Sequence, residues 1–453
     1  MKKNSKINIL EGPIAINLLR LSLPIIFTSL VSILYNLVDS KFIAIYLGDE
    51  ALVAAAAASF FINFGFFLSN IPKLGAQVLV AQSIGGKKIT SARKYARISL
   101  IVTLIVATIY TLVNIVFPKE LIELLKVTDV NKLKMASDYL VVTAIGYIPL
   151  YLIITMSAII NGDGDTFGPF IINSFGLLTN ALLDWILLGN YHMGITGAAW
   201  ATSTSQIITL IIMYFYMTRK KSRFKKLKFL HADKIEDYKK LIKLGLPSGI
   251  NSFLFSIFSL FLAGLISTIN VNALGIQRLG IQFEAFSWNI SFGLASAVAT
   301  FVGQNYGAKN YDRIAKTYKI VLSNILILGG IITVIFVFFP RPLYGIFFKD
   351  EKMITLGISY LSIVGFSQLF MCAEITTSGA FNGMGKTLQP TLISIIFTSL
   401  RIPIALILIP LLGLNGIWWS ISLTSIAKGI LVVVLFLIVL KKIDVKETKW
   451  SIK

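Results

Sequence analysis

Long apolar runs, separated by short polar connections, dominate the chain. A helix needs about 20 apolar residues to cross the hydrocarbon core of a bilayer. The pattern therefore predicts about twelve transmembrane helices, and with them an all-α polytopic membrane protein. The predicted spans cover residues 14–37, 51–83, 96–117, 139–160, 169–188 and 194–217 in the first half, and 244–269, 275–304, 314–339, 353–381, 389–412 and 416–440 in the second.

The longest hydrophilic connection, residues 218–243, separates the two sets of six spans. It predicts an amino-terminal lobe over residues 1–222 and a carboxy-terminal lobe over residues 223–453. Near its end, apolar residues recur at helical spacing, which indicates a short helix on the membrane surface over residues 233–244.

Four motifs recur in the same order in both halves of the chain. They are LRLSLP (19–24) and IKLGLP (242–247), VAQSIGGKK (80–88) and VGQNYGAKN (302–310), NGDGDTFGP (161–169) and NGMGKTLQP (382–390), and GITGAAW (194–200) and GLNGIWW (413–419). Their offsets lie between 219 and 223 residues, so one duplication explains all four. Because an even number of spans separates the copies, we expect two six-helix lobes of parallel topology. A pseudo-two-fold axis along the membrane normal would relate them, with a cavity between them.

Composition agrees with a membrane protein, since 56% of residues are hydrophobic and only 14% are charged. The formal charge of +21 does not indicate nucleic acid, because the bases lie in the connections between spans. One alternate set of connections carries 30 Lys and Arg residues and the other set carries 8. The positive-inside rule then places both termini and the central connection in the cytoplasm. The single cysteine, Cys372, excludes an intramolecular disulfide.

The stretch GLLTNALLDWILLG (176–189) carries the first candidate chemistry. It places Asn180 and Asp184 one helical turn apart on one face of a predicted span. An acid within a span normally faces a partner or a water-filled cavity, and it marks an ion or substrate pathway. The alternative is an aspartate that is buried and hydrogen-bonded for packing alone.

Three further polar groups fall at a similar depth in the same lobe. At 1.5 Å per residue, Asp184 lies roughly 6–9 Å and Thr202 roughly 12 Å below the outer end of its span. Asp39 and Tyr139 lie at or near the outer boundary. Carboxylate, amide and hydroxyl oxygens suit a small hard cation such as sodium. Two neighbouring acids also suit reversible protonation, so the pattern leaves both ions open.

Other charged residues within spans allow several interpretations. Glu284 lies near mid-depth, where it would either hold a cationic substrate or pair with a base. Glu374 and Lys73 lie at the inner ends of spans, where a charged side chain reaches the interface at low cost. Arg401 and Lys428 are expected to pair locally.

Several motifs together resemble the multidrug and toxic compound extrusion (MATE) family of transporters. They are the LSLP opening, LYNLVDSKFI at the end of the first span, the NGxGxT turns followed by proline, and VGQNYGA after the eighth span. The acidic pattern is similar to the prokaryotic DinF-like branch, whose ion site lies in the amino-terminal lobe. The resemblance implies export of cationic amphiphilic compounds in exchange for inward protons or sodium ions. We expect a monomer in a prokaryotic plasma membrane, with no cofactor besides the coupling ion.

The resemblance also implies roles for individual residues. The ion-coupling residues would be Asp39, Tyr139, Asn180, Asp184 and Thr202; if the ion is sodium, its ligands would be Asp39, Asn180, Asp184 and Thr202. The substrate would bind near Asp39, Asp184 and Glu284. Glu284 matches an acid of the branch, whereas Arg278 stands farther from it than the family pattern has its arginine.

Other functions remain as alternatives. A lipid-linked precursor flippase of the same superfamily would need a cavity lined with bases, for which Arg278 and Arg401 are the best candidates. An enzyme is not expected, because the only two histidines, His192 and His231, lie in connections and no DDxxD motif occurs. A primary pump would need an ATP-binding motif, and no complete Walker GxxxxGK[ST] motif is present, because the GKT at residues 385–387 has Ala380 where the motif has its first glycine. A channel function would not explain why the chain has both buried acids and an internal duplication.

Overall fold

The fold is built from helices throughout the residues that the structure, a computed structural model, describes: 8–125, 129–220, 222–225, 227, 229 and 231–450. The first half contains α1 (Ile14–Gly48), α2 (Glu50–Gly85), α3 (Ile89–Val116), α4 (Pro118–Glu123), α5 (Val130–Ile145), α6 (Tyr147–Gly162), α7 (Phe167–Asp184), a π-helical turn (Trp185–Asn190) and α8 (Gly194–Thr218). The second half contains α9 (Ile235–Ile269), α10 (Val271–Gly307), α11 (Tyr311–Phe338), α12 (Pro340–Gly345), α13 (Glu351–Gly365), α14 (Gln368–Gly383), α15 (Leu388–Ser399), α16 (Arg401–Leu412) and α17 (Leu414–Trp450).

The helices supply ten to twelve membrane spans within the described residues. Ten are long and apolar enough to cross a bilayer, and there are up to twelve spans if each of two bent helix pairs forms one. The pair α5 and α6 bends by 45°, and the pair α13 and α14 bends by 47°. The predicted spans 139–160 and 353–381 fall on these two pairs, and each pair bends where its two helices meet.

Helix α9 corrects one expectation from the sequence. The short surface helix predicted over residues 233–244 is not a separate element, because α9 runs unbroken from Ile235 to Ile269 past Pro247. The first part of α9 packs closely against α2. A Cβ atom on Gly245 would lie 1.9 Å from the carbonyl oxygen of Ile71 on α2, so only glycine permits this approach of the two helices.

Backbone contacts divide the chain into two compact units. Unit 1 contains Leu23–Gly249, and unit 2 contains Ile9–Ser22 and Ile250–Lys453. Part of the core of unit 1 is built around the neighbouring rings of Tyr110, Tyr147 and Tyr151. A core cluster of unit 2 includes Tyr344, Tyr360 and Trp418. The domain boundary predicted between residues 222 and 223 stays a prediction.

The internal repeat is present in the backbone as well as in the sequence. Gly164 and Gly385 occupy the same place in the two NGxGxT motifs, and their φ angles are 87° and 76°. Glycine adopts this left-handed conformation without the strain that a side chain would add. Lys87 and Lys309, also at equivalent positions, have φ angles of 58° and 59°. Equivalent motifs therefore form equivalent turns.

Candidate functional site

The acid of α7 is buried without a partner. Asp184 is the last residue of α7, directly before the π-helical turn, and Asn180 lies one turn earlier; both side chains are fully buried. Neither carboxylate oxygen of Asp184 has a hydrogen-bond partner among the described residues. The same is true of Oδ1 of Asn180. Buried polar groups are normally hydrogen-bonded, and π-helical turns occur frequently at functional sites. Three buried oxygens at one place therefore lack the donor or cation that they would normally have.

A chain of hydrogen bonds connects Asn180 to the second acid. Nδ2 of Asn180 donates to Oγ1 of Thr202 over 3.5 Å, and Oγ1 of Thr202 donates to Oδ1 of Asp39 over 3.4 Å. These distances are at the long end of the hydrogen-bond range, so the contacts are weak. The bonds join α7, α8 and α1, and the charges of Asp39 and Asp184 are close enough to act on each other. Four predicted residues thus meet within unit 1.

Tyrosines surround the two acids. Tyr139 on α5 is buried in the core cluster that also contains Ile43, one turn after Asp39, and Leu188, four residues after Asp184. Tyr35 was not predicted from the sequence, and its hydroxyl lies 3.0 Å from Oγ of Ser205. One signal was available, because Tyr35 precedes Asp39 by four residues and so shares its face of α1. All five predicted ion-coupling residues belong to this network.

The donor set limits what the network can bind. It offers carboxylate, amide and hydroxyl oxygens, which suit hard cations and protons. An unpaired carboxylate in a buried site is costly unless it is protonated or has a cation beside it. The arrangement can therefore bind and release a positive charge.

Glu284 belongs to a different polar cluster, within unit 2. It lies on α10, is buried, and accepts hydrogen bonds from the hydroxyl of Tyr360 and from Nε2 of Gln368, the latter over 2.8 Å. Oγ of Ser287 donates to Oε1 of Gln368 over 2.8 Å, which fixes the orientation of the amide. In contrast to Asp184, both oxygens of Glu284 have donors. Its predicted contact with substrate stays a prediction.

Two expectations about the other intramembrane charges are wrong. Glu374 does not extend to an interface, because it is buried and its Oε2 lies 3.5 Å from Nζ of Lys428. Arg401 does not pair within its own helix. It donates instead to Oγ1 of Thr424 over 3.2 Å and to Oγ of Ser425 over 2.9 Å, both on α17.

The helical fold and the buried acidic network define a multi-pass membrane transport protein. The MatE family model matches residues 24–186 and 247–407, once in each half, and the chain belongs to this family of MATE transporters. It is 27% identical to the probable multidrug resistance protein NorM of Thermotoga maritima, over 93% of this chain and 91% of that protein. It is 25% identical to the multidrug export protein MepA of Staphylococcus saprophyticus, over 90% of each.

A solved structure described as MATE in the bent conformation has the same fold. The TM-score is 0.92 and the coverage is 99% of this chain and 100% of that one, at 21% sequence identity. At this identity the likeness shows the fold alone. The expected membership of the MATE family and the expected all-α membrane fold with two lobes are both confirmed.

Proposed function

We propose that this protein is a cation-coupled antiporter that exports amphiphilic organic cations, including drugs, by alternating access. One observation carries the proposal: the fully buried carboxylate of Asp184 lacks a hydrogen-bond partner among the described residues and lies near a second acid, Asp39. A proton or a sodium ion would satisfy this carboxylate. Sodium would take its protein ligands from Asp39, Asn180, Asp184 and Thr202, and Tyr139 would pack beside them.

Coupling requires that ion and substrate favour opposite states, because a ligand shifts an equilibrium only through its differential affinity. A cationic substrate is attracted by the negative charge of Asp39 and Asp184. Binding of a proton or sodium removes that attraction, and it also changes the hydrogen bonds between Asn180, Thr202 and Asp39. The ion would thereby release the substrate on the outer side.

The comparisons support organic substrates, since the named relatives are described as multidrug resistance and multidrug export proteins. They do not favour the flippase alternative. Glu284 had two interpretations, as an anchor for a cationic substrate or as the partner of a base. Its carboxylate oxygens accept hydrogen bonds from two neutral groups, Tyr360 and Gln368, so these contacts are not the predicted pairing with a base. We propose further that the protein is a monomer in a prokaryotic plasma membrane, with both termini in the cytoplasm.

The test is transport in proteoliposomes that contain the purified protein. A fluorescent organic cation is supplied, and proton and sodium gradients are imposed separately. We expect one gradient to drive movement of the dye against the ion flow, and we expect Asp184→Asn to abolish it. Asp138→Asn is the matched control, because this exposed acid lies one residue before Tyr139 on α5. Dye movement that ignores both gradients would refute ion coupling.

A further inference from the structure

The two copies of the repeat place different residues at equivalent positions of their polar cores. Asn180 follows Asn161 of the first NGxGxT motif by 19 residues, and Arg401 follows Asn382 of the second motif by 19 residues. The two spans that carry them begin at equivalent positions, Phe167 and Leu388, each six residues after the motif's asparagine, so counting from this motif makes Arg401 the counterpart of Asn180. The two-residue change in offset before the next motif matches the connection after these spans, which has three residues (191–193) in the first copy and one (413) in the second. Where unit 1 has a neutral amide, unit 2 has a permanent positive charge.

The acids differ between the copies as well. The same count makes Ala405 the counterpart of Asp184. Counting from Pro24 and Pro247 makes Leu262 the counterpart of Asp39. Both counterparts are buried and apolar. Unit 2 therefore lacks both carboxylates of the unit 1 network, and it has a guanidinium where that network has the amide of Asn180.

The tyrosine of the network is kept. Tyr139 precedes the motif of its copy by 22 residues, and Tyr360 precedes the motif of its own copy by 22 residues. In unit 2 this tyrosine donates to Glu284, an acid that comes from α10. The counterpart of Glu284, counted from Gln304 and Gln82, is the apolar Ile62. Each copy thus keeps a tyrosine beside an acid, but the acid comes from a different helix.

Arg401 is held firmly in this cluster. Its side chain is 5% exposed, its guanidinium donates to Thr424 and Ser425, and its Cζ atom lies 5.7 Å from the ring centre of Phe255. Ala405, one turn later on α16, lies in the same buried core cluster as Tyr360, which donates to Glu284. The remaining buried charges in this part of unit 2, Glu374 and Lys428, pair with each other at 3.5 Å. These two acids and two bases sum to no net charge.

We propose that Arg401 is a resident cation, which takes in unit 2 the place that the exchangeable coupling ion takes in unit 1. The guanidinium stays charged and cannot leave, so the Glu284 cluster has no need of a proton or sodium ion. A second positive charge bound at Glu284 would also be repelled by Arg401. The chain then carries one coupling-ion site, in unit 1. This inference rests on the proposed function for the location of that site.

The test counts ions bound by the purified full-length protein in detergent. Radioactive sodium binding and proton uptake on acidification are measured side by side, so that the two ions are distinguished. We expect one ion per wild-type chain and none in Asp184→Asn. Arg401→Asn, which restores the residue of unit 1, should bind a second ion at Glu284, so the count doubles. Arg401→Lys keeps the charge and should bind one.

Glu284→Gln tests the same proposal in a protein that keeps Arg401. We expect its ion count to equal that of wild type, because Glu284 binds no exchangeable ion while Arg401 is present. Loss of an ion in Glu284→Gln would overturn the proposal, and so would a count of one in folded Arg401→Asn. The double variant Arg401→Asn with Glu284→Gln should return to one, which would place the gained ion at Glu284.

Failure of the proposed function gives a different pattern. If Asp184→Asn leaves the wild-type count unchanged, the unit 1 site is wrong. The difference in ion count between Arg401→Asn and the double variant Arg401→Asn with Glu284→Gln still tests whether Glu284 binds an ion when the arginine is absent.

Discussion

Replacing Asp184 by asparagine should remove the stabilisation that the coupling ion gives to the folded protein. A ligand that binds only the folded state stabilises it by RT ln(1 + [L]/Kd), which is about 2.7 kcal/mol at a concentration 100 times Kd. The wild-type carboxylate of Asp184 is fully buried and has no hydrogen-bond partner among the described residues, so we expect the coupling ion to be its partner. An amide has the same shape but neither charge nor a proton to exchange. We expect the ion-dependent part of the stability to fall to nearly zero in Asp184→Asn.

The assay is thermal unfolding of the purified protein in detergent, with a sodium series at fixed pH and a pH series without sodium. Wild type should be stabilised by one of the two ions, whereas Asp184→Asn should give a nearly flat response to both. Asp138→Asn should keep the full wild-type response, because its exposed acid lies outside the network. If Asp184→Asn keeps half or more of the wild-type stabilisation, the carboxylate is not the ion ligand.

Two further predictions concern stability. Asp233→Asn breaks a buried ion pair with Arg97 and should lower the free energy of unfolding by about 3–5 kcal/mol. Glu351→Gln breaks an exposed ion pair and should lower the free energy of unfolding by at most about 1 kcal/mol. Equal losses for the two variants in unfolding assays would contradict this. Gly245→Ala should lower the free energy of unfolding by about 1–3 kcal/mol, because the new Cβ atom has no room. Gly264→Ala on the same helix should not destabilise α9, because its Cβ atom would meet nothing within 4 Å. Comparable melting temperatures of the two variants would show that the close contact at Gly245 does not matter.

Local sequence patterns predicted the spans and the repeat because both depend on residues that are near neighbours along the chain. The apolar runs locate the helices, and the NGxGxT motifs form the expected turns. Several helices extend well beyond the predicted spans, however: α1 continues from residue 37 to Gly48, and α9 begins at Ile235 and not at residue 244. Local patterns failed where packing between helices decides the outcome. Apolar residues at helical spacing over 233–244 suggested a separate surface helix, whereas α9 runs unbroken from Ile235 to Ile269 and packs against α2 through Gly245.

The same distinction holds for the site. Asn180 and Asp184 were found because one turn of one helix separates them. The hydrogen bond from Thr202 to Asp39 joins two residues that are 163 positions apart in the chain. Both residues were predicted from their depth in the membrane and from the family resemblance. Tyr35 was missed although it lies one helical turn before Asp39, because its partner Ser205 lies on α8, far away in the sequence. The Glu374–Lys428 pair was missed, because Glu374 alone suits a position at the membrane interface and Lys428 was expected to pair locally.

The most direct test of coupling is the affinity of an organic cation for the purified protein, measured from pH 5 to pH 8 with and without sodium. A shift of the two-state population from 1:99 to 99:1 needs about 5.5 kcal/mol of differential binding, or about 10⁴-fold in affinity. We expect the wild-type affinity to fall as protons or sodium are added, and Asp39→Asn to lose most of this dependence. If the wild-type affinity is the same at every pH and sodium concentration, ion and substrate are not coupled through this site.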